Sequence, residues 1–256
     1  MRKVMIITAA GYKGTATEFP DVPHICPEPL LPIGKEYGNT ILERLAQQFN
    51  HLGFEVFTTV AGPEYVYSWR PTWNAGRFEF RNDPASITEP PWTQERIDDV
   101  ARYSTPIIVP DPDMTNYHDS AFLALDEIGY EWDQCVIAQG DHLFTDGLLE
   151  GITALSFPCQ LRPARRAYTM MLLTPHAARE YHRLGEPFRG HSKHGWNGRN
   201  ETETGYGTGA EFASVVPVVY IADVLPDHNQ YEFSDDVDSP DSYHKALKWL
   251  VQWGGK

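Results

Sequence analysis

Cysteine and long apolar runs are both scarce in this chain. Its 256 residues include three cysteines, and no two of them form a Cys-x-x-Cys pair. An odd, unpaired set argues against a disulfide scaffold, and Cys135, inside an apolar run, is expected to be a core residue. No segment approaches the roughly 20 apolar residues that a membrane helix needs, and the run after Lys3 is too short for a signal peptide. We therefore expect a cytoplasmic protein with no membrane partner.

Positive charge is also in short supply. The chain has 21 Lys and Arg against 35 Asp and Glu, which gives a formal net charge of −14. Such a surface argues against a general nucleic-acid binder or a protein that coats membranes. The stretch 162–199 reverses the balance, with eight Lys and Arg against two Glu. It is either a set of solvated surface charges or a site for an anionic acceptor such as a sugar phosphate, with Arg165, Arg189 and Lys193 as candidate ligands.

Repeats and low-complexity tracts are absent, and the apolar pattern alternates between continuous runs and helical spacing. Short β-branched runs predict buried strands, and apolar residues three or four positions apart predict helices that face a sheet. Strands are predicted at 4–7, 54–60, 106–109, 134–138, 167–174 and 215–221. Helices are predicted at 40–49, 94–103, 119–129, 146–155, 175–184, 210–214 and 239–250. The alternation predicts an α/β protein with one doubly wound, mostly parallel but mixed sheet. We expect a single domain, 1–256, with long loops at 61–104 and 186–209.

A loop of small residues follows the first predicted strand. Ala9, Ala10, Gly11 and Gly14 come directly after the apolar run 4–7. Small residues let the backbone approach a ligand, and glycine permits the dihedrals of an anion-holding loop. In open α/β sheets, ligands bind at the carboxyl ends of the strands. The loop is therefore either a nucleotide or phosphate site or an ordinary turn between a strand and a helix.

Three segments resemble a known family. They are Ala9-Ala-Gly-Tyr-Lys-Gly-Thr15, Pro27-Glu-Pro-Leu-Leu-Pro-Ile-Gly34 with the Leu-Glu-Arg helix that follows it, and Val136-Ile-Ala-Gln-Gly-Asp-His-Leu-Phe144. Together they are similar to the sugar nucleotidyltransferases, also called nucleoside-diphosphate-sugar pyrophosphorylases. The resemblance implies a Rossmann-like fold of the GT-A and nucleotidyltransferase type. It also implies that Ala9, Ala10, Gly11, Gly14, Thr15 and Gly140 contact the nucleotide.

Two carboxylate segments are candidates for a magnesium site. Asp141 follows Gly140 at the exit of the strand 134–138, where a carboxylate can hold Mg²⁺ against phosphates. A helix N-cap or a turn aspartate is the alternative, and the resemblance implies that Asp141 binds the metal. The segment 236–241 resembles the family's second acidic segment, which implies that Asp238 or Asp236 is the other metal ligand. Capping of the last helix by Ser239 explains part of that segment without a metal.

The segment 115–121 occupies the place of the family loop that contacts the base and the ribose. By that likeness Ser120 is a candidate nucleotide ligand. A capped helix start explains the same residues.

Two cations of the family pattern are missing. Ala16 follows Thr15 where the family has arginine, and Glu28 stands in the place of the lysine in Pro-Lys-x-Leu. In the family these cations hold the triphosphate and neutralise the charge that develops at the α-phosphate. Lys13, in a loop that is one residue longer, is the candidate substitute and a candidate catalytic residue.

Three functions remain open on the sequence. The first is a Mg²⁺-dependent nucleotidyltransferase that joins a nucleoside triphosphate to a sugar phosphate or a similar anion and releases pyrophosphate. The second is a GT-A glycosyltransferase that uses a nucleotide sugar, with 111–113 as an alternative Asp-x-Asp motif and an acceptor that extends to nucleic acid. The third is a nucleotide- or sugar-binding protein that has lost catalysis, as the missing cations suggest.

Overall fold

The computed structural model of the chain describes residues 1–10, 26–66, 70–74, 77–81, 90–110, 112, 117–162, 170–186, 214–228, 232, 237 and 240–254. For 70–74, 77–81 and 117 it describes the backbone alone.

The strands are β1 (Lys3–Thr8), β2 (Pro32–Gly34), β3 (Asn39–Thr40), β4 (Glu55–Ala61), β5 (Arg70–Asn74), β6 (Arg77–Arg81), β7 (Thr105–Val109), β8 (Gln134–Gln139), β9 (Cys159–Arg162), β10 (Met170–Leu173) and β11 (Val218–Tyr220). The helices are α1 (Ile41–His51), α2 (Gln94–Val100), α3 (Tyr117–Ile128), α4 (Asp146–Ala154), α5 (Pro175–Gly185), α6 (Ile221–Val224) and α7 (Pro240–Trp253). Two short 3₁₀ turns, Glu28–Leu30 and Lys35–Tyr37, flank β2.

Seven strands form one sheet in the order β11-β9-β10-β8-β1-β4-β7. The four strands from β8 to β7 are parallel to one another. Strand β10 is antiparallel to both of its neighbours, and β11 is parallel to β9. One reversed strand in a parallel sheet makes the sheet mixed. The predicted fold class, a doubly wound and mostly parallel sheet, is therefore confirmed.

Helices cover both faces of this sheet, and the central strands alternate between them. In β1, Met5 and Ile7 face the core built with α1, α2 and α4. Val4 and Ile6 face the core built with α3 and α5. Strand β8 alternates in the same way. A strand with apolar surroundings on both sides needs an apolar residue at every position, which explains the unbroken runs in the sequence.

Helix α1 forms as its sequence predicts. The side chain of Thr40 accepts a hydrogen bond from the backbone N–H of Glu43 at 3.1 Å, so Thr40 is the N-cap. Leu42, Leu45 and Phe49 are buried against the sheet. Gly53 follows the helix with a φ of 78°, a left-handed conformation that favours glycine.

Several elements differ from the sequence prediction. Strand β9 and the hairpin β5–β6 were not predicted. Ile221 begins α6 instead of ending a strand, because β11 is three residues long. Residues 163–169 and 187–213, which include parts of two predicted elements, lie outside the described residues.

The last helix packs beside the carboxyl end of the sheet. Leu31, Ile33, Leu143 and Val237 form a third buried cluster with α7, through side chains such as Leu250. The hydroxyl of Tyr243 on α7 donates to the carbonyl of Pro32. The helix therefore anchors the segment that follows the first predicted ligand loop. Among the described helices, none combines the length and the apolar character of a membrane span.

Candidate functional site

The chain reverses its winding direction between β1 and β8. From β1 it passes through α1 to β4 and then to β7 on one side. From β7 it crosses through α3 to β8 on the other side of β1. A crevice opens at such a switch point, beyond the carboxyl ends of the two strands, and open α/β sheets bind ligands there. The residues that leave β1 and β8 at this place are Ala9, Ala10, Gly140 and Asp141.

The two strand exits are packed closely together. The N–H of Gly140 donates to the carbonyl of Thr8 at 3.1 Å. A Cβ atom on Gly140 would lie 3.2 Å from Ile7 Cγ2, 3.2 Å from Pro29 Cβ and 3.3 Å from Ala9 Cβ. These distances are tighter than ordinary van der Waals contacts, so glycine fits here without displacing its neighbours. The structure thus brings the predicted ligands Ala9, Ala10 and Gly140 to one place.

Asp141 lies in the turn after β8, and its side chain is 17% exposed. His142 Nδ1 is 2.9 Å from its Oδ1, and the His142 ring stacks on Phe144 with centroids 6.3 Å apart. Thr145, not Asp141, caps α4, since its hydroxyl accepts from the N–H of Leu148 at 3.3 Å. The N-cap interpretation of Asp141 is therefore excluded for this helix.

One described residue of the second acidic segment, Val237, contacts the same turn. Val237, a fully buried residue, donates its N–H to the carbonyl of Asp141 at 3.2 Å. Asp236 and Asp238, the predicted second ligands, flank Val237 in the sequence and lie outside the described residues. Their role as metal ligands stays a prediction.

Among the described residues, no group of three His, Cys, Asp or Glu side chains forms a metal site. Magnesium differs from zinc in this respect, because it is commonly bound by one or two carboxylates with the rest of its shell from phosphates and water. The partly exposed carboxylate of Asp141 fits that requirement. Its oxygens are hard ligands of the kind that Mg²⁺ takes, and it lies at the switch point of the sheet.

Glu28, the acid in place of the family lysine, is buried, with 4% of its surface exposed. It begins the 3₁₀ turn whose Pro29 touches Gly140. Burial raises the pKa of the neighbouring Cys26 thiol to about 11; the positive charge of Arg96 opposes this rise and the negative charge of Glu28 adds to it. Arg96, on α2, is therefore a cation that acts on the same thiol as this acid, and sequence reasoning missed it. Its position some 70 residues later in the chain gives no local signal.

Gln48 is a second residue that the sequence analysis missed. Its Nε2 donates to the carbonyl of Phe144 at 3.0 Å and to Asp146 Oδ1 at 2.6 Å. These bonds join α1 to the segment that follows Asp141. A polar side chain on the apolar face of a predicted helix is the signal that would have identified it.

Ser120 is the fourth residue of α3 and is buried. The neighbouring His118 is buried, and its Nδ1 lies 2.6 Å from the hydroxyl of Tyr181 on α5. Burial lowers the pKa of His118 well below its ordinary value, so the ring is neutral. Nucleotide binding by Ser120 stays a prediction, and 111 and 113–116, which include the alternative acidic motif, lie outside the described residues.

The remaining predicted site residues lie outside the described part of the chain. They are Gly11, Lys13, Gly14, Thr15, Arg165, Arg189 and Lys193.

A cavity of about 440 Å³ lies elsewhere, between β7 and α3. Its lining includes Arg2, Thr105 and Ile128, which lie towards the amino end of the sheet. We give this cavity no part in the site, because it lies at the edge of the sheet opposite the switch point.

Comparison with known proteins identifies the fold. No protein-family model matches the chain, and no curated protein matches it. The structure of an inositol-1-phosphate CTP transferase from T. maritima is similar with a TM-score of 0.55 at 13% identity, over 98% of this chain and 96% of that one.

Two other solved structures show the same likeness. A 4-diphosphocytidyl-2C-methyl-D-erythritol synthase from Anaerococcus prevotii has a TM-score of 0.54 at 11% identity, over 98% of both chains. A structure from Bacillus anthracis described as a glucose-1-phosphate thymidylyltransferase has a TM-score of 0.53 at 11% identity, over 96% of this chain and 94% of that one. At such identities the likeness establishes the shared fold along nearly the whole chain.

Proposed function

We propose that this chain is a Mg²⁺-dependent nucleotidyltransferase that joins a nucleoside triphosphate to a sugar phosphate or a similar anionic acceptor. One observation carries the proposal: the partly exposed carboxylate of Asp141 lies at the switch point of the sheet, beside the small-residue exit of β1. The similar structures named for CTP transferase and thymidylyltransferase activity support it at the level of the fold.

The proposed reaction is a substitution at the α-phosphate. An oxygen of the acceptor phosphate forms a bond to the α-phosphorus, and the bond from that phosphorus to the bridging oxygen of the β-phosphate breaks. The electron pair leaves with pyrophosphate. Positioning and charge neutralisation supply most of the catalysis in phosphoryl transfer. Bound Mg²⁺ supplies part of that neutralisation, and Asp141 with Asp238 or Asp236 would hold it.

The loop after β1 is the proposed phosphate cradle. The N–H of Ala9 is already donated to the carbonyl of Thr59 at 3.0 Å. Ala9 therefore contributes through its small side chain. Ala10 is proposed to contact the nucleotide, and we assign the N–H donors to Gly11, Gly14 and Thr15.

Cations are assigned to the two charged groups of the substrates. Lys13 is proposed to act on the triphosphate in place of the missing family cations. Arg165, Arg189 and Lys193 are proposed to bind the anionic acceptor. Ser120 is proposed to contact the nucleoside.

A GT-A glycosyltransferase is the second candidate, and Glu28 is the observation that favours it. This acid lies in the turn packed against Gly140. A negative charge there repels a triphosphate more strongly than it repels the diphosphate of a nucleotide sugar.

A binding screen separates the two candidates. Thermal unfolding is measured with Mg²⁺ and each of the nucleoside triphosphates, and then with nucleoside diphosphate sugars. A ligand that binds the folded state raises the unfolding temperature in proportion to the logarithm of its excess over the dissociation constant. The proposal expects a shift with one triphosphate that is lost in Asp141→Asn. A shift with nucleotide sugars alone would replace it with the second candidate.

A further inference from the structure

The carboxylate of Asp141 is hydrogen-bonded to the next residue in the chain. Its Oδ1 lies 2.9 Å from His142 Nδ1. An ionised carboxylate only accepts hydrogen bonds, so the ring nitrogen is the donor. Successive side chains of a strand point to opposite faces of the sheet. Two adjacent side chains can meet here because the chain turns after β8 ends at Gln139.

The donor of this bond is held by packing. His142 is buried, and only 8% of its side chain is exposed. Its ring stacks on Phe144, with the centroids 6.3 Å apart and an angle of 20° between the ring planes. A buried polar ring is unfavourable unless it is hydrogen-bonded, and the bond to Asp141 satisfies one of its two nitrogens. The position of Nδ1 is therefore fixed by the ring's surroundings.

The residue under the ring is itself anchored to two helices. Phe144 is fully buried and belongs to the core that includes Leu148 of α4. Its carbonyl accepts a hydrogen bond from Gln48 Nε2 on α1 at 3.0 Å. The next residue, Thr145, caps α4. A ring that stacks on this segment can impose a direction on the carboxylate that it contacts.

A metal-binding aspartate needs such a direction. The terminal torsion of an aspartate side chain has a broad energy profile, so an unrestrained carboxylate rotates over a wide range. A cation is bound at a defined distance and angle from the carboxylate oxygens. Hydrogen bonds from neighbouring side chains orient the ligands in known metal sites.

We propose that His142 orients the carboxylate of Asp141 for binding of a divalent cation. His142 is thus a positioning residue, because it acts through Asp141. The inference rests on the proposed function, since it assumes that Asp141 binds the cation.

Two kinds of substitution separate the hydrogen bond from the packing of the ring. His142→Asn keeps an N–H donor close to the place of Nδ1 but removes the ring from Phe144. His142→Phe keeps a ring that can stack on Phe144 but has no donor, and His142→Leu is a second variant without a donor. If His142 orients Asp141, the affinity for the cation follows the donor. If His142 only packs the fold, the affinity follows the ring.

Direct Mn²⁺ binding measures this affinity without any assay of activity. Free Mn²⁺ is followed by its electron paramagnetic resonance signal while the protein is titrated, at about pH 8, where an ordinary histidine ring is neutral. We expect His142→Phe and His142→Leu to weaken Mn²⁺ binding by about 10- to 100-fold, the usual effect of losing a group that orients a metal ligand. His142→Asn should stay within about threefold of the wild type, because the donor is kept. Thermal unfolding of each variant is measured alongside.

His182→Phe is the matched control. The ring of His182, on α5, stacks on Phe122 with the centroids 5.2 Å apart and the planes at 16°. Its Nδ1 lies 2.6 Å from the hydroxyl of Tyr130. The phenylalanine variants at 142 and 182 therefore lose the same kind of bond and keep the same kind of stacking. His182→Phe is expected to bind Mn²⁺ like the wild type.

The other outcomes overturn one idea or both. Wild-type affinity in His142→Phe and His142→Leu, or a loss in His142→Asn as large as theirs, would show that the ring only packs the fold. Equal weakening in His182→Phe would show the same. In these cases Asp141 still binds the cation. Wild-type protein that does not bind Mn²⁺, or binding that Asp141→Asn leaves unchanged, overturns the proposed metal site and the inference with it.

Discussion

Charged side chains are exposed to different degrees at the amino and carboxyl edges of the sheet. At the amino edge, Asp133 precedes β8 and its side chain is 56% exposed. It accepts the backbone N–H of Arg2 at 2.6 Å. At the carboxyl edge, Asp141 follows the same strand with 17% of its side chain exposed, near the buried Glu28 and His142.

This difference in exposure shows at which edge a carboxylate is largely removed from water. An exposed acid keeps its water and adds little to stability, whereas a carboxylate removed from water is unfavourable unless it is hydrogen-bonded or holds a cation. The carboxyl edge therefore holds its acids in less contact with water than the amino edge does.

The largest expected effect is the difference in turnover between Asp141→Asn and Asp133→Asn. Removing the carboxylate of Asp141 weakens the cation site, and turnover should fall by about 100-fold or more, as for other losses of transition-state electrostatics. Asp133→Asn, at the opposite end of the same strand, should leave turnover within about threefold of the wild type, because Asp133 lies at the edge of the sheet away from the proposed site. Initial rates of pyrophosphate release with saturating Mg²⁺ provide the comparison. Equal losses in the two variants would remove the functional distinction between the edges.

Gly140→Ala tests how tightly the carboxyl edge is packed. The added Cβ meets Ile7, Pro29 and Ala9 at 3.2 to 3.3 Å. Overpacking of this kind costs about 1–3 kcal/mol. Gly62→Ala is the control at the same edge, since its Cβ would meet Ile108 Cγ2 at 3.8 Å, an ordinary contact. Urea unfolding of both variants measures the difference, and an unchanged midpoint for Gly140→Ala would show that the edge is loosely packed.

His118, in the first turn of α3, makes the stability of the folded protein depend on pH. Burial lowers the pKa of the folded-state ring well below 6.5. The unfolded state therefore binds a proton below about pH 6.5 that the folded state does not bind. Stability supplied by the neutral ring is present above that pH and is lost as the pH falls, by up to about 1.4 kcal/mol per pH unit.

His118→Gln should reduce this loss of stability. The free energy of unfolding is compared at pH 7.5 and 5.5 in the wild type, in His118→Gln and in His176→Gln, whose side chain is exposed on α5. We expect the smallest pH dependence in His118→Gln. A wild-type slope that this variant leaves unchanged would mean that folding does not lower the pKa of His118.

The smallest effect is expected at the amino edge. Arg2 Nη2 lies 2.9 Å from Glu55 Oε2, and both side chains are more than one third exposed. Such a pair contributes at most about 1 kcal/mol and is screened by salt. Glu55→Gln should therefore change urea stability slightly at low ionic strength and negligibly in 0.5 M NaCl. A large loss of stability in Glu55→Gln would show that the amino edge contributes more to stability than we expect.

Local patterns were sufficient to predict much of the fold. The run of apolar residues in β1 predicts a strand that is buried on both faces, and Thr40 predicts the start of α1. Strand β9 was missed because it is four residues long and has the polar Gln160 at its centre. Its pairing with β10 and β11 is a long-range property that no local window contains.

The hairpin β5–β6 was missed for a different reason. The sequence Arg77-Phe-Glu-Phe-Arg81 alternates polar and apolar residues, the period of a strand with one exposed face. The many prolines and tryptophans around it led us to predict a loop. The alternation was the better signal.

The site was predictable only in part. Asp141 could be identified because a carboxylate directly follows an apolar strand and a glycine. The hydrogen bond between Thr145 and Glu232 could not, because these residues are 87 positions apart. Whether two such residues meet depends on how α4 and the last part of the chain pack, and sequence spacing does not determine that.

Release of pyrophosphate is the most direct test of the account. The wild-type protein and Asp141→Asn are incubated with Mg²⁺, each nucleoside triphosphate and a set of sugar phosphates, and both pyrophosphate and the coupled product are measured by mass spectrometry. The account predicts that one triphosphate yields equal amounts of pyrophosphate and of a nucleoside diphosphate sugar, and that Asp141→Asn yields neither. Consumption of nucleotide sugars with release of nucleoside diphosphate, and no reaction of any triphosphate, would contradict it.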